Sequence, residues 1–534
     1  MVNLARIPIL PALALLAGCA QVKEITGGER DTTAPHLVAS VPAQASLAYQ
    51  GDRIVLQFDE RVVLERPGDR VLISPPLDVP PTYKQTGPRE VTILLNAALR
   101  ADVTYVVSLG EAVKDLTEGN PADVDLFFAT GQVLDSARIM GTVLNAYTGA
   151  PEKDVMVLLY AEADSTFRKG RPLYATRCDA EGRFLFPHLP AAPFVVNALR
   201  DKNANYRYDL PNEEIAFHDT VVNATTDSMP APLTLRLFQE LPSRQLLREA
   251  GTQADLSMRI VLARPAQELT LRDVARTGGQ LTWTNEWSVG RDTVVVWPSD
   301  TVLLSEGRFE VSTEAGVLDT IRYRPPLRPR FNLQVTPTLV EQGQAMVIAL
   351  TTDRPLLSVD TARLQVLVDS LPVRGYTVRT DGMRTAYLDH AVPLGSAVHL
   401  TLLPKAVMGA YGSYNDTTRT ALGAGDAQST GTLRVRLDAG EQRGVPFLLQ
   451  LLDGQGRIVR TDTLPAGTTQ HVWERARPGL YTLRAIADAN GNGRWDTGDL
   501  TAQRQPELVW SYPDKVNIRA AWDIGLEWTL QPAR

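Results

Sequence analysis

Part of the sequence is written twice, and this repeat constrains the fold more than any other feature. Gln50-Gly51-Asp52-Arg53-Ile54-Val55-Leu56 is echoed by Gln342-Gly343-Gln344-Ala345-Met346-Val347-Ile348, with Gly343 lying 292 residues after Gly51. The stretch EAVKDLTEGNPADV around Ala112 returns as KAVMGAYGSYNDT around Ala406, 294 residues later. Gly141-Thr142-Val143 returns as Gly431-Thr432-Leu433 at 290 residues, and Asp201 as Asp488 at 287. Four matches in one order and at nearly one offset describe two modules, an intervening one, and the same two again. A chain of 534 residues also exceeds what a single core can organise, so the modules must carry cores of their own.

Within the modules the apolar residues keep a period of two. Ile54, Leu56 and Phe58 alternate with Val55, Gln57 and Asp59, and Tyr105, Val107 and Leu109 follow the same rule, which turns one face of each segment to a core. Apolar residues at helical spacing are scarce outside Leu241 to Ala250. The expectation is an all-β chain, a tandem array of about five sandwiches. The segments are 35–131, 137–237, 241–328, 331–425 and 430–531, each close to the size of an immunoglobulin-like domain. A content of 44% hydrophobic and 22% charged residues fits folded domains, and a net charge of -7 gives no basic surface for a nucleic acid partner.

The start of the chain carries a different signal. Arg6 precedes an apolar run from Ile7 to Ala17, too short to span a bilayer, and Leu16-Ala17-Gly18 leads into Cys19. Residues 1–18 therefore read as a signal peptide and 19–34 as a lipidated tether. Leu16-Ala17-Gly18-Cys19 resembles the lipobox of bacterial lipoproteins, which implies lipidation of Cys19 by acyl chains such as palmitate. Ala20 after the cysteine is compatible with outer-membrane sorting. Cys178 is then the only other cysteine, with no disulfide partner, and is expected to fill a core.

The opening Asp31 and Pro35, the pattern from Gly51 to Val62, and the closing Phe127-Phe128-Ala129-Thr130-Gly131 resemble the bacterial Ig-like domain of the S-layer type. Segments 137–237 and 430–531 resemble the prealbumin-like, or carboxypeptidase-regulatory-like, β-sandwich, through their G-T starts, Asp179 to Phe184, and Pro478-Gly479-Leu480-Tyr481. The order of lipobox, tether and Ig-like module resembles a group of Bacteroidota lipoproteins. The resemblance implies binding and spacing at the cell envelope rather than chemistry.

Two loops carry the strongest local signal. Asp488, Asn490, Asn492, Asp496 and Asp499 stand at positions 1, 3, 5, 9 and 12 of one run, with the Arg494 carbonyl at position 7, the spacing of oxygens around Ca2+. Asp201, Asn203, Asn205, Arg207 and Asp209 repeat the first five positions, with Glu213 or Glu214 as a late closing carboxylate. A structural calcium ion in each loop is one expectation. The other is a tight turn without an ion, because Asp, Asn and Gly build such turns unaided.

Trp510, Trp522 and Trp528 lie near the end of the chain, where aromatic faces form either a glycan platform or a core. No H-E-x-x-H, G-x-S-x-G or P-loop pattern occurs, and the six His are scattered over different modules. The expected function is a non-enzymatic, outer-membrane-anchored scaffold or accessory subunit bound to other envelope proteins. The alternatives are a carbohydrate-binding surface lipoprotein and a glycan or peptide hydrolase without a recognisable motif.

Overall fold

The structure, a computed structural model, describes residues 32–122, 124–161, 167, 170–226, 231–274, 282–299, 306–327, 332–342, 345–423 and 430–530. Cys19, the signal segment and the start of the tether lie outside the described residues. The chain divides into two compact units, Met1–Leu134 and Asp135–Arg534. The described residues are almost wholly strand and turn, and no helix among them is long and apolar enough to cross a membrane.

The first unit packs a four-stranded sheet, in the order Leu37–Val41, Arg53–Phe58, Glu90–Leu94 and Thr82–Gly87, over the three strands Leu72–Ser74, Thr104–Ser108 and Asp125–Ala129. Alternation sets the core: Ile54, Leu56 and Phe58 from one sheet meet Tyr105, Val107 and Phe128 from the other. A tight turn beside the core is organised by one buried carboxylate. Asp115 accepts backbone N–H groups from Thr117, Glu118, Gly119 and Asn120 at 2.6 to 3.0 Å. Burial pushes its carboxyl up, but these four donors outweigh it and hold the carboxyl down at about 2. With the folded value depressed, its contribution is complete above the ordinary carboxylate range and is lost as pH falls toward 2. Asp115→Ala is expected to lower the melting temperature of the isolated domain by on the order of 5 °C at pH 7 and to remove that acid-side dependence. Thermal scans from pH 7 to pH 2 check it.

The second unit repeats the topology of the first half. Val335–Gln342, Ala345–Thr352, Thr385–Val392 and Thr377–Asp381 form a sheet in the same relative order as the first. The equivalent turns even share a hydrogen bond, Ala112 N–H to the Leu109 carbonyl and Ala406 N–H to the Leu403 carbonyl. The modules 137–237 and 430–531 match strand for strand. Arg183–Leu189, Ala137–Asn145 and Leu233–Leu237 correspond to Gln470–Ala476, Gly431–Asp438 and Asp523–Thr529, and in each copy the last strand pairs in parallel with the first. That close pairing explains the repeated G-T start: a Cβ on Gly141 would sit 2.3 Å from the Leu233 carbonyl oxygen, and one on Gly431 would sit 2.4 Å from that of Arg519.

The facing five-stranded sheets are centred on Met156–Ala161 beside Pro193–Arg200, and on Phe447–Leu452 beside Gly479–Ala487. Both central strands are buried on both faces: Leu158 and Tyr160 are as covered as Val157 and Leu159, and Leu448 and Leu452 as covered as Leu449 and Leu451. A free-standing sandwich would leave alternate residues in water. The intervening module sets Met258, Ile260 and Val294 against Phe309, Val311 and Tyr323. The helical spacing at Leu241 to Ala250 is not a helix, because Leu247–Thr252 pairs with Met258–Leu262 as an edge strand and tertiary pairing overrides the local pattern.

Candidate functional site

Both oxygen-rich loops leave the end of a central strand and fold alike. In the first, the Asp201 carboxylate accepts the N–H groups of Asn203 and Tyr206, and the Asn205 side-chain oxygen accepts that of Arg207. In the second, Asp488 accepts from Asn492 and Gly493, each at 2.9 Å, and Asn492 accepts from Arg494 at 3.0 Å. The Asn203 and Asn205 amides donate to Asp209, and those of Asn490 and Asn492 donate to Asp496. Gly491 and Gly493 have φ of 69° and 78°, and Ala204 and Tyr206 hold the same left-handed conformation at 56° and 60° without glycine. The first copy keeps the shape at a cost of about 1 kcal/mol per strained residue.

One residue of the expected set is not part of its loop. Glu213 closes the first loop, its carboxylate accepting the N–H groups of Lys202, Asp209 and Leu210. In the second loop the same place is taken by Glu507, which accepts from Ala489 and Asp496 at 2.9 Å each. Asp499 instead accepts the N–H of Ala502 and pairs through its backbone with Arg504. Glu213 follows Asp209 by 4 residues while Glu507 follows Asp496 by 11, so the second copy carries a seven-residue insertion. Position counting missed Glu507 for this reason. Burial pushes the Glu507 carboxyl up, the two N–H donors pull it back, and the neighbouring charges of Asp496 and Asp488 push it up again, leaving it above the ordinary range. Among the described residues no group of three or more His, Cys, Asp or Glu is placed to hold a metal ion.

The insertion is a strap that reaches module 137–237 and the residues just after it. The Thr497 hydroxyl donates to the Gln239 carbonyl at 2.7 Å, the Leu500 N–H donates to Glu240, and the Gln505 amide donates to the Phe217 carbonyl at 2.8 Å and to Asp219 at 2.6 Å. Gly498 lies so flat on the buried Phe238 ring that a Cβ there would come within 2.4 Å of it. The Glu240 carboxylate is held from its own side by the Tyr208 hydroxyl at 2.7 Å. Beside the strap, Trp495 packs on Tyr147 with centroids 5.1 Å apart, and the Arg484 guanidinium lies 4.5 Å above the same tyrosine ring. Arg494 reaches a third module, donating to the Gly290 carbonyl at 2.8 Å. The second loop and its strap thus join three modules.

The tryptophans separate. Trp528 is 5% exposed and packs against Tyr512 at 5.6 Å, and Trp510 is half-buried beside Phe447. Trp522 sits just before the last strand, 57% exposed, with the Arg519 guanidinium 4.9 Å from its ring. Cys178 is buried, donates to the Glu152 carbonyl at 2.8 Å, and is pushed up to about 11 by burial, a thiol held in its protonated form.

Residues 31–130, under a fifth of the chain, match the family model described as the bacterial Ig-like domain, so the first domain is similar to that class. No curated protein matches. Among solved structures, the chain is similar to BcpA, the major pilin subunit of Bacillus cereus, at 10% identity over 74% of this chain and 99% of that one, with a TM-score of 0.15. It is also similar to the S-layer protein rSbsC(31-844), at 12% identity over 91% of this chain and 68% of that one, again with a TM-score of 0.15. The BSP domain of a biofilm-associated protein aligns at 9% identity over 91% and 95%, with a TM-score of 0.14. Overlays this loose establish no shared arrangement of domains and lend no role to this chain.

Proposed function

We propose that this chain is a non-enzymatic lipoprotein, held in the outer membrane by acyl chains on Cys19, that acts as a multi-domain scaffold or accessory subunit of a cell-envelope protein complex. The junction supports this reading: the most elaborate loop of the chain, residues 488–507, directs its polar groups into its own turn and onto two other modules. Such groups fix domains relative to one another, which is what a scaffold requires. The glycan alternative retains a single exposed ring, Trp522, because Trp510 and Trp528 contribute to the terminal core. The test is expression of the tagged chain in a Gram-negative host, with mass analysis of the mature N-terminal peptide and of proteins that co-purify from membranes. Diacyl or triacyl Cys19, release of the Cys19→Ala protein from the membrane fraction, and a stoichiometric protein companion are the expected results. An unmodified cysteine removes the anchor, and saturable polysaccharide binding lost in Trp522→Ala replaces the scaffold by the glycan reading.

The second loop also supports a structural Ca2+ in this proposal. The donors would be Asp488, Asn490, Asn492, the Arg494 carbonyl and Asp496 at calcium-loop spacing, with Glu507 closing the turn; as folded no three of these carboxylates are gathered around one point, so an ion would have to draw them together. As folded, the Asn490 and Asn492 amides satisfy Asp496; an ion would take over that neutralisation. Millimolar CaCl2 is expected to raise the melting temperature, with stabilisation of about 2.7 kcal/mol at one hundred times the dissociation constant, and the effect should vanish in Glu507→Gln. No shift at 5 mM Ca2+ would leave the loop as a self-sufficient turn.

A further inference from the structure

We infer that Gln239 and Glu240 couple the two oxygen-rich loops, so that the first loop and the strap of the second open and close as one latch. Each of these residues faces both ways. The Gln239 side-chain amide donates to the Pro211 carbonyl of the first loop at 3.0 Å, while its backbone carbonyl accepts the Thr497 hydroxyl of the strap at 2.7 Å. The Glu240 carboxylate gives one oxygen to each side: Oε2 accepts the Tyr208 hydroxyl at 2.7 Å, and Oε1 accepts the Leu500 N–H. Phe238 continues the pattern. Its backbone exchanges two hydrogen bonds of 2.8 Å with Ile215, just past the Glu213 that closes the first loop, and its ring meets Phe217 edge-on at 6.1 Å. Gly498 of the strap covers that ring.

Three consecutive residues thus stand between segments 208–217 and 497–500, and sharing makes the two sets of contacts interdependent. A carboxylate bound at both oxygens is fixed in one orientation, so each bond orders the group for the other and the chain of hydrogen bonds strengthens as a whole. When the strap lifts, the Phe238 ring loses its cover and water reaches Glu240, which weakens its charge-assisted bond to the buried Tyr208. The same free energy acts in reverse. Because coupling between two sites is reciprocal, opening of the first loop must loosen the strap by the same factor. The tip of the first loop, Lys202 to Ala204, is exposed, so a contact made there reaches the junction between modules. This goes beyond the scaffold reading, since the latch lies within one chain and needs neither lipid, ion nor companion.

Amide hydrogen exchange of the full chain, read by mass spectrometry on peptides covering 201–213, 497–507 and 174–186, tests the latch. Tyr208→Phe keeps the ring and removes only the hydroxyl. It is expected to speed exchange in 497–507 about fivefold or more, although the substitution lies in the other loop. Thr497→Val keeps the shape of the strap residue, removes its hydroxyl, and is expected to speed exchange in 201–213 in the same way. The turn from Asp179 to Arg183, in the same module as the first loop, should exchange as in the parent. Acceleration confined to the segment that carries the substitution, or an equal acceleration of the 174–186 peptide, overturns the proposal.

Discussion

If the chain is cut at a protease site inserted between Ser243 and Arg244, its two pieces are expected to remain together on gel filtration. They should part when the strap carries Gly498→Leu with Gln505→Ala. The cut falls on the exposed connection after module 137–237, so all that then holds the pieces is the contact between modules. That contact includes four hydrogen bonds from the strap, to Gln239, Glu240, Phe217 and Asp219, together with the Trp495 and Tyr147 rings. The leucine would drive its Cβ into the buried Phe238 ring, and overpacking of this kind costs about 1 to 3 kcal/mol. Loss of the Gln505 amide leaves the part-buried Phe217 carbonyl without its donor, for about 1 kcal/mol more, while water replaces the bond to the exposed Asp219. Together these correspond to a weakening of roughly a hundredfold or more. Pieces that separate without the substitutions, or stay together with them, would show that the strap does not hold the halves.

Asp488→Ala is expected to destabilise the second unit by about 2 to 3 kcal/mol, while Asp201→Ala in the equivalent position costs about 1 kcal/mol or less. Asp488 is fully buried and receives the N–H groups of Asn492 and Gly493, so its removal leaves two donors of the turn without their partner, next to the Arg494 contact to Gly290. Asp201 is half-buried, so water can replace part of what its side chain provides. Urea denaturation of both variants checks the asymmetry. Equal losses would mean that the second loop is no more than a local turn.

Much of this architecture was legible in the residues. The alternation at Ile54 to Phe58 identified strands, and the echo of Gly141-Thr142-Val143 at Gly431 identified a second copy with the same topology. Asp488, Asn490, Asn492 and Asp496 were legible as one loop because their spacing is local. Glu507 was not, since seven inserted residues broke the count and nothing in Thr497, Gly498, Leu500 or Gln505 marks them as contacts for residues 258 to 288 positions earlier. One signal was present and unread. Met156-Val157-Leu158-Leu159-Tyr160 and Phe447-Leu448-Leu449-Gln450-Leu451-Leu452 are runs without alternation, and such strands are covered on both sides. Trp522 shares its parity with Trp528, yet it sits in the turn before the strand begins, where pleat parity has no force.

The parallel pairing of Asp523–Thr529 with Gly431–Asp438 has a consequence for how the protein is made. Closure of this sandwich waits for Asp523–Thr529, long after its first strand has been synthesised, and the strap that covers Phe238 belongs to the same sandwich. A product terminated before this strand would therefore carry an uncovered aromatic patch on an otherwise finished earlier part, a mark by which proteases could tell incomplete copies from complete ones.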